Sequence, residues 1–540
     1  MRLLFSLCLF LSIGFAYNID SLSKEPAGYA RDLFLLRELE QNITKEGAYR
    51  GYFLTKTPRS EHSSLLLKKT KSKKLATLFD CMDSNITRLL KKTPECAELG
   101  VNYKKISSAI LSDSDEPQKL LELIKDSAPQ KKEKIEVLLK TAAKKEKLTK
   151  DSIELYFESS KEFRASFFDM ELNDDELKSV VNSPFQKRFI KWALFDKNAT
   201  TLQKSISKIE PGELNDSEAL FFLGLLKLRH EQNATLSFER AAKTATKEPD
   251  KDRANFWAYL SSKDDKFLQK ASSGKDFNFY SVIAVEISGK KPTAVEFVSL
   301  DNENAKFERN ISSPFEWLNF KRKINNASNK ELETILIKTK GQKYADAYYL
   351  QAKERLEGYK KELYLMPYQD AFADYNDSQK TLLHAIGRQE SLFIPGIVSS
   401  AYAIGVMQVI PILGEELAAK RKEKFDFFEL FEPKKNISYA ATHFKWLESK
   451  VSHPTLIAVS FNAGYGFFKR IERDGLFVFK DEKTLAYEPF WSIENIPYDE
   501  TRHYAKKVSL NYAVYSRRIG KEISLSELLE NLMRLRRQAP

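Results

Sequence analysis

Between residues 17 and 300, apolar side chains recur at steps of three and four and then break off at short polar turns, segment after segment. That spacing places them along one face of an α-helix. It predicts helices over 32–41, 131–140, 220–229 and 236–244. In the last pair, Leu220, Phe221, Leu223, Leu226 and Leu228 are followed by Phe238, Ala241 and Ala242, and Gly224 and Ala242 are small enough for close approach. This is the pattern of one helical hairpin in a stack where each pair buries a face against its neighbours. The period is too degenerate to count, so the region reads as an irregular α-superhelix.

The pattern shifts further on. Phe277-Asn278-Phe279-Tyr280 is aromatic, and Lys291-Pro292 breaks the helix. Residues 301–370 read as a smaller helical unit ending in an extended Leu365-Met366-Pro367, and a compact block with small residues and clustered glycines begins near Asp377. The expected fold class is all-α, with a superhelical domain over 17–300, a helical linker domain over 301–370, a compact α domain over 371–520 and a terminal helix over 521–540. That helix opens with a capping box from Ser524 to Glu527 and ends Arg534-Leu535-Arg536-Arg537, which reads as a docked element.

Composition narrows the class. A chain of 540 residues exceeds one core, and 19 Gly with 18 Pro are too few for turn-rich β folds, collagen or low-complexity disorder. Arg2, the apolar run 3–15 and Gly14-Phe15-Ala16 form a secretory leader over 1–16. Its apolar run is shorter than the ~20 residues a membrane span needs, and no later stretch is long and apolar enough, so stable membrane insertion is not expected. The formal charge of +12 would suit nucleic acid in a cytosolic protein; outside the cytosol it suits an anionic envelope polymer, and no nucleic-acid partner is expected.

Cys8 leaves with the leader. Cys81 and Cys96, in an oxidising compartment, read as a disulfide, with two buried thiols as the alternative. Six scattered histidines and no CxxC pair give no metal or cofactor constellation. The lysine run from Lys68 to Lys74 reads as a solvated face, and the Asn-X-Ser/Thr triplets at Asn42, Asn198, Asn233 and Asn310 as helix caps.

Candidate chemistry begins on the helix predicted to start at Ser378 and to end ahead of Pro395. Leu382, Leu383 and Ile386 form its apolar stripe, and Glu390 continues it. A carboxyl on such a face is desolvated, which lifts its pKa above ~4.3 toward what a general acid requires. The alternative for this helix alone is a glutamate fraying into water. Three more segments accompany it. Ser399 to Gln408 is a small-residue loop; 453–462 is a short apolar helix stopped by Ala463-Gly464; and Glu494 to Arg502 leads into a helix with Tyr504, Val508, Tyr512 and Tyr515 on one face and Gly520 as its stop.

The runs Arg388-Gln389-Glu390-Ser391, Ala403-Ile404-Gly405-Val406-Met407-Gln408, Phe461-Asn462-Ala463-Gly464 and Glu500-Thr501-Arg502-His503-Tyr504 stand in the order of the motifs of lytic murein transglycosylases. The chain resembles the large soluble, periplasmic branch of that family, over roughly residues 365–515. The resemblance implies a goose-lysozyme-like α domain joined to a helical superstructure and acting on peptidoglycan glycan strands in the periplasm. It places Glu390 on the single catalytic acid/base. Ser391 and Ser399 fall on hydroxyls that orient the acid or contact substrate, and Met407, Gln408 and Asn462 on residues that hold the sugars. Glu494 and Tyr504 fall on the opposite wall. Phe461 stands where the family usually has Tyr, so a hydroxyl is lost and Tyr504 becomes the substitute donor. Tyr402 stands where small or polar residues are common. The implied reaction cleaves the bond from N-acetylmuramic acid to N-acetylglucosamine and leaves a 1,6-anhydro sugar. A hydrolytic lysozyme on the same fold and a non-catalytic wall-binding scaffold are the alternatives.

Overall fold

The computed structural model describes residues 17–537 except 113, 144–147, 293–294, 299–311, 341–344 and 359–361. The leader over 1–16, Asn310 and the boundary expected at 300/301 lie outside the described residues. The chain is helical nearly throughout and separates into two compact units, each assembled from distant stretches of sequence. One comprises residues 1–71 and 295–450, the other 72–294 and 451–540. The expected linear division draws its boundaries elsewhere: 371–520 straddles both units, and the first helices leave the superhelix for the unit that holds the linker. Among the described residues, a short pair of strands departs from an all-α chain. Glu296–Val298 pairs in parallel with Leu363–Leu365, which binds the ends of the linker region together.

In the first unit the core gathers around Phe34 on the helix Tyr29–Glu40. Its ring meets Tyr17 at 4.9 Å, Phe315 at 5.6 Å and Phe431 at 6.0 Å between centroids. Aromatic faces and edges in such clusters attract beyond their burial. Residues near the start of the chain are thereby packed with the segment before the strand Leu363–Leu365 and with the segment after Glu390. Lys68, Lys71, Lys73 and Lys74 are exposed, as a solvated face requires.

The second unit contains the helical hairpins. Ser217–Arg229 and Thr235–Thr244 pack as the sequence suggests: a side chain on Gly224 would come within 2.5 Å of the Phe238 ring. Trp257, fully buried on Glu248–Ser262, lies 6.0 Å from Phe221 and 5.7 Å from Phe238 between centroids. Thr44 caps Lys45–Leu54 in the first unit, as the capping reading of its triplet expects, whereas the helices Thr200–Ile206 and Thr235–Thr244 start without a side-chain cap and Asn233 only accepts the Thr235 amide. The terminal helix Leu525–Arg537 buries Leu525, Leu528, Leu529 and Leu532. Glu286 accepts the Ser526 amide at 2.7 Å, placing a carboxylate at the positive end of that helix, and Arg536 donates to the Phe477 carbonyl at 2.8 Å. No helix among the described residues is long and apolar enough to cross a membrane.

Cys81 and Cys96 are bonded, with their Cα atoms 5.2 Å apart. Closing a loop of this size stabilises by ~3 kcal/mol in the chain-entropy description. Replacing both by serine should lower the unfolding free energy of the full chain by about that amount, read from urea melts of oxidised protein against the wild type.

Candidate active site

Glu390 sits on the last turn of the helix Asp377–Ser391, which Asn376 and Gln379 start with a reciprocal capping box. Leu382, Leu383 and Ile386 are buried, and Glu390, at the end of their stripe, is half-buried. The helix stops because Leu392 (φ +51°) and Phe393 (φ +63°) turn left-handed, well before Pro395. Bulky residues adopt that conformation only when their surroundings hold them there. On one side of Glu390, Arg388 donates to the Leu363 carbonyl at 2.7 Å and to Glu362 at 2.9 Å, its guanidinium 3.8 Å from the Tyr364 ring centre. On the other side, the Ser391 hydroxyl donates to the Val406 carbonyl at 2.7 Å. The turn carrying the carboxyl is thus tied to a strand and to a loop.

That loop is folded by its own backbone. Ser399 donates its amide to the Ala403 carbonyl at 2.9 Å, and its hydroxyl oxygen accepts the Ala401 and Ala403 amides. Ile404 bridges Val398 and Val409. Gly405 has φ +79°, and a side chain there would collide with the Leu430 carbonyl, so only glycine fits. Asn436, fully buried, is the keystone. Its amide donates to the Ile404 carbonyl at 2.9 Å and to that of Leu430 at 2.7 Å, and its oxygen accepts the Met407 amide at 2.7 Å. Gln408 spends its amide protons on the Gly405 carbonyl at 2.9 Å and the Ile397 carbonyl at 3.3 Å, so its own oxygen takes no part in these two bonds. Met407, assigned to sugar contact by the resemblance, is corrected here: it is 0% exposed, and its sulfur packs over Gly387 of the Glu390 helix, so it contributes packing.

In the second unit, Pro454–Ala463 packs on the long helix Asp499–Ile519, joined by a 2.8 Å bond between the Thr455 and Ser509 hydroxyls. Asn462 is clamped at the end of this pair. The Thr501 hydroxyl donates to its oxygen at 2.6 Å, and its amide donates to Glu500 at 3.2 Å. Phe461 and Tyr465 are half-buried, whereas Phe467, Phe468 and Trp491 are core. Tyr504 lies within the packed part of its helix, its side chain buried.

Glu494, assigned to a groove wall by the resemblance, is the second correction. Its carboxylate has no exposure. It accepts from the Tyr280 hydroxyl and from Lys506, both at 2.6 Å, and lies 3.8 Å from Arg253 and 3.7 Å from Arg502. Burial alone would raise this carboxyl, but Lys506, Arg253 and Arg502 outweigh it and hold it at about 2. With every neighbour internal, Glu494 anchors the unit. Glu500, an exposed carboxylate, accepts the Asn462 amide and was not singled out by that reading. It stands in the quoted Glu500-Thr501-Arg502 run, so a signal was present; for Asn436 there was none, since its partners come from loops that only folding assembles.

Residues 368–475 match the family model described as the transglycosylase SLT domain. Among curated proteins, the chain is 34% identical over 131 residues to the "Putative soluble lytic murein transglycosylase" of Haemophilus influenzae, covering 24% of this chain and 21% of that one. It is 26% identical over 171 residues to the soluble lytic murein transglycosylase of Salmonella typhimurium, covering 30% and 25%. The match therefore spans about a fifth to a quarter of these relatives. Among solved structures, an inactive mutant of the lytic transglycosylase Slt from Pseudomonas aeruginosa aligns with a TM-score of 0.49 at 16% identity, over 92% of this chain and 82% of that one. The 70 kDa soluble lytic transglycosylase from Escherichia coli aligns at 0.48 and 15%, over 93% and 83%.

Two outcomes follow from the geometry. Glu494→Gln leaves three buried cations without their carboxylate and should destabilise by about 3 kcal/mol near neutrality, since breaking a buried pair from one side costs ~3–5 kcal/mol. A carboxyl held at about 2, against 4.5 when free, stabilises above pH ~4.5 and loses that contribution as pH falls toward 2. Urea melts across this range should show the gap between wild type and variant closing on the acid side. Asn436→Leu strands three backbone groups, each worth ~1–3 kcal/mol when buried unpaired, and should lower the midpoint strongly.

Proposed function

We propose that the chain is a periplasmic lytic murein transglycosylase that cleaves the β-1,4 bond between N-acetylmuramic acid and N-acetylglucosamine in peptidoglycan and leaves 1,6-anhydro ends. The observation carrying this reading is the position of Glu390 within the SLT match, half-buried on a helix turn tied down on both sides. Glycosidases usually employ two carboxyl groups, one as acid and one as base or nucleophile. Here one carboxyl serves in both roles. Protonated, Glu390 donates to the bridging oxygen as the C1–O bond breaks. As carboxylate, it then takes the proton of the muramic C6 hydroxyl, whose oxygen bonds to C1. No water is consumed. The substrate's acetamido oxygen stabilises the cation in between, in place of a protein nucleophile.

Aim matters more than strength for a group that works twice, because a proton must leave and return at hydrogen-bond distance. The ties from Arg388 and Ser391 support that. We assign sugar contact to Ser399 and Gln408, which lie on the loop tied to the Glu390 turn. Ser391 orients the acid's turn. The leader and the excess of basic residues fit an exported protein meeting an anionic wall polymer.

Mass analysis of digested sacculi tests the reaction. Anhydro-muramic ends are expected; reducing ends would make the enzyme a hydrolase, and binding without any soluble product would make it a scaffold. Glu390→Gln should lower turnover by a factor of ~10³ or more while keeping the melting temperature and glycan binding, as expected for loss of a general acid/base. Near-normal turnover in that variant would remove Glu390 from the mechanism.

A further inference from the structure

We propose that Arg59, far from the matched domain in sequence, is a positioning residue for the loop that holds the Glu390 turn, acting through Tyr402. The inference rests on the transglycosylase reading above, and every residue in it belongs to the first compact unit. Tyr402 has φ +62°, a backbone state that a large side chain adopts only when something holds it there. What holds it is a stack: the Arg59 guanidinium lies 3.7 Å from the centre of the Tyr402 ring, and the His62 ring meets it edge-on at 6.3 Å.

The clasp is held by contacts of its own, apart from Tyr402. His62 is fully buried, one ring nitrogen against the Asp32 carbonyl at 3.1 Å and the other accepting the Arg59 amide at 3.2 Å. The buried Asp32 carboxylate accepts the Lys56 and Thr57 amides at 2.8 and 2.9 Å, which fixes the turn leading to Arg59. The buried Tyr402 hydroxyl has no hydrogen-bond partner, so the contact is carried by the face of the ring and the cation above it.

From Tyr402 the connection to the site is short. Its amide donates to the Ser399 carbonyl at 3.0 Å, inside the turn that the Ser399 hydroxyl closes. Four residues on, the Val406 carbonyl receives the Ser391 hydroxyl. Asn436 holds the middle of the loop, and Arg59 holds its entrance. The stretch 17–71 is thus part of the catalytic unit as well as the lead-in to the helical hairpins.

The test uses the full chain with two readouts. With sacculi as substrate, Arg59→Ala and Tyr402→Ala should each lower kcat/KM about 10-fold, the size expected from losing a desolvated cation–π contact. Their combination should be no worse than either alone. Arg59→Lys, which keeps a cation, should recover to within about threefold, and Tyr402→Phe, which keeps the ring, should match wild type. The second readout needs no turnover: amide hydrogen exchange at Ala403, Ile404, Gly405 and Val409 should speed up in both alanine variants and stay slow in Arg59→Lys and Tyr402→Phe. Loop exchange unchanged in Arg59→Ala overturns the proposal whatever the activity, as does a Tyr402→Phe variant that behaves like Tyr402→Ala. A wild type that releases no anhydro product while its loop responds as described defeats the transglycosylase reading and leaves the clasp standing.

Discussion

A 2.7 Å hydrogen bond from the Ser391 hydroxyl to the Val406 carbonyl joins the turn bearing Glu390 to the loop that follows it. A carboxyl at the end of a helix would ordinarily swing into water, because the last carbonyls of a helix have no partners inside it and the final turn frays. This bond, with the Arg388 contacts behind it, removes that freedom. Half-burial of Glu390 then becomes a fixed property of the site, and much of the surrounding construction in this unit secures it: Asn436 binding three backbone groups, Gly405 clearing the Leu430 carbonyl, and Met407 seated over Gly387.

The second unit solves a different problem. It brings a helix from the end of the chain against helices from its middle and locks them with one buried carboxylate among three cations and a tyrosine hydroxyl. Buried charges are costly to desolvate, so such a node depends on the opposite charges around it, and removal of one partner is severe. In exchange it sets the start of Asp499–Ile519, whose Glu500 and Thr501 fix the face that the Asn462 amide presents. Asn462 is therefore positioned by tertiary charge pairing, whereas Glu390 is positioned by hydrogen bonds to backbone.

Legibility in the sequence followed the range of the interactions. The hairpin around Gly224, the helix that Glu390 ends and the capped terminal helix rest on contacts within a few turns, and their spacing announces them. Glu494 was placed on a groove wall by the resemblance alone, and Tyr280 and Arg253, more than two hundred residues away, show that it is enclosed. Met407 misled by motif, since a position within a run says nothing of which way the side chain turns.

The sequence by itself determined a nearly all-helical chain, the order of the motif runs and a carboxyl on an apolar helix face. These follow from the 3.6-residue period and from residue chemistry, which act locally. Tertiary structure alone decided that the chain folds as two units, each drawn from distant stretches of sequence, that residues 17–71 pack with the Glu390 segment, and which of the acids is walled in and which meets Asn462. Those outcomes depend on burial and on partners far apart along the chain, and neither exists until the helices have packed.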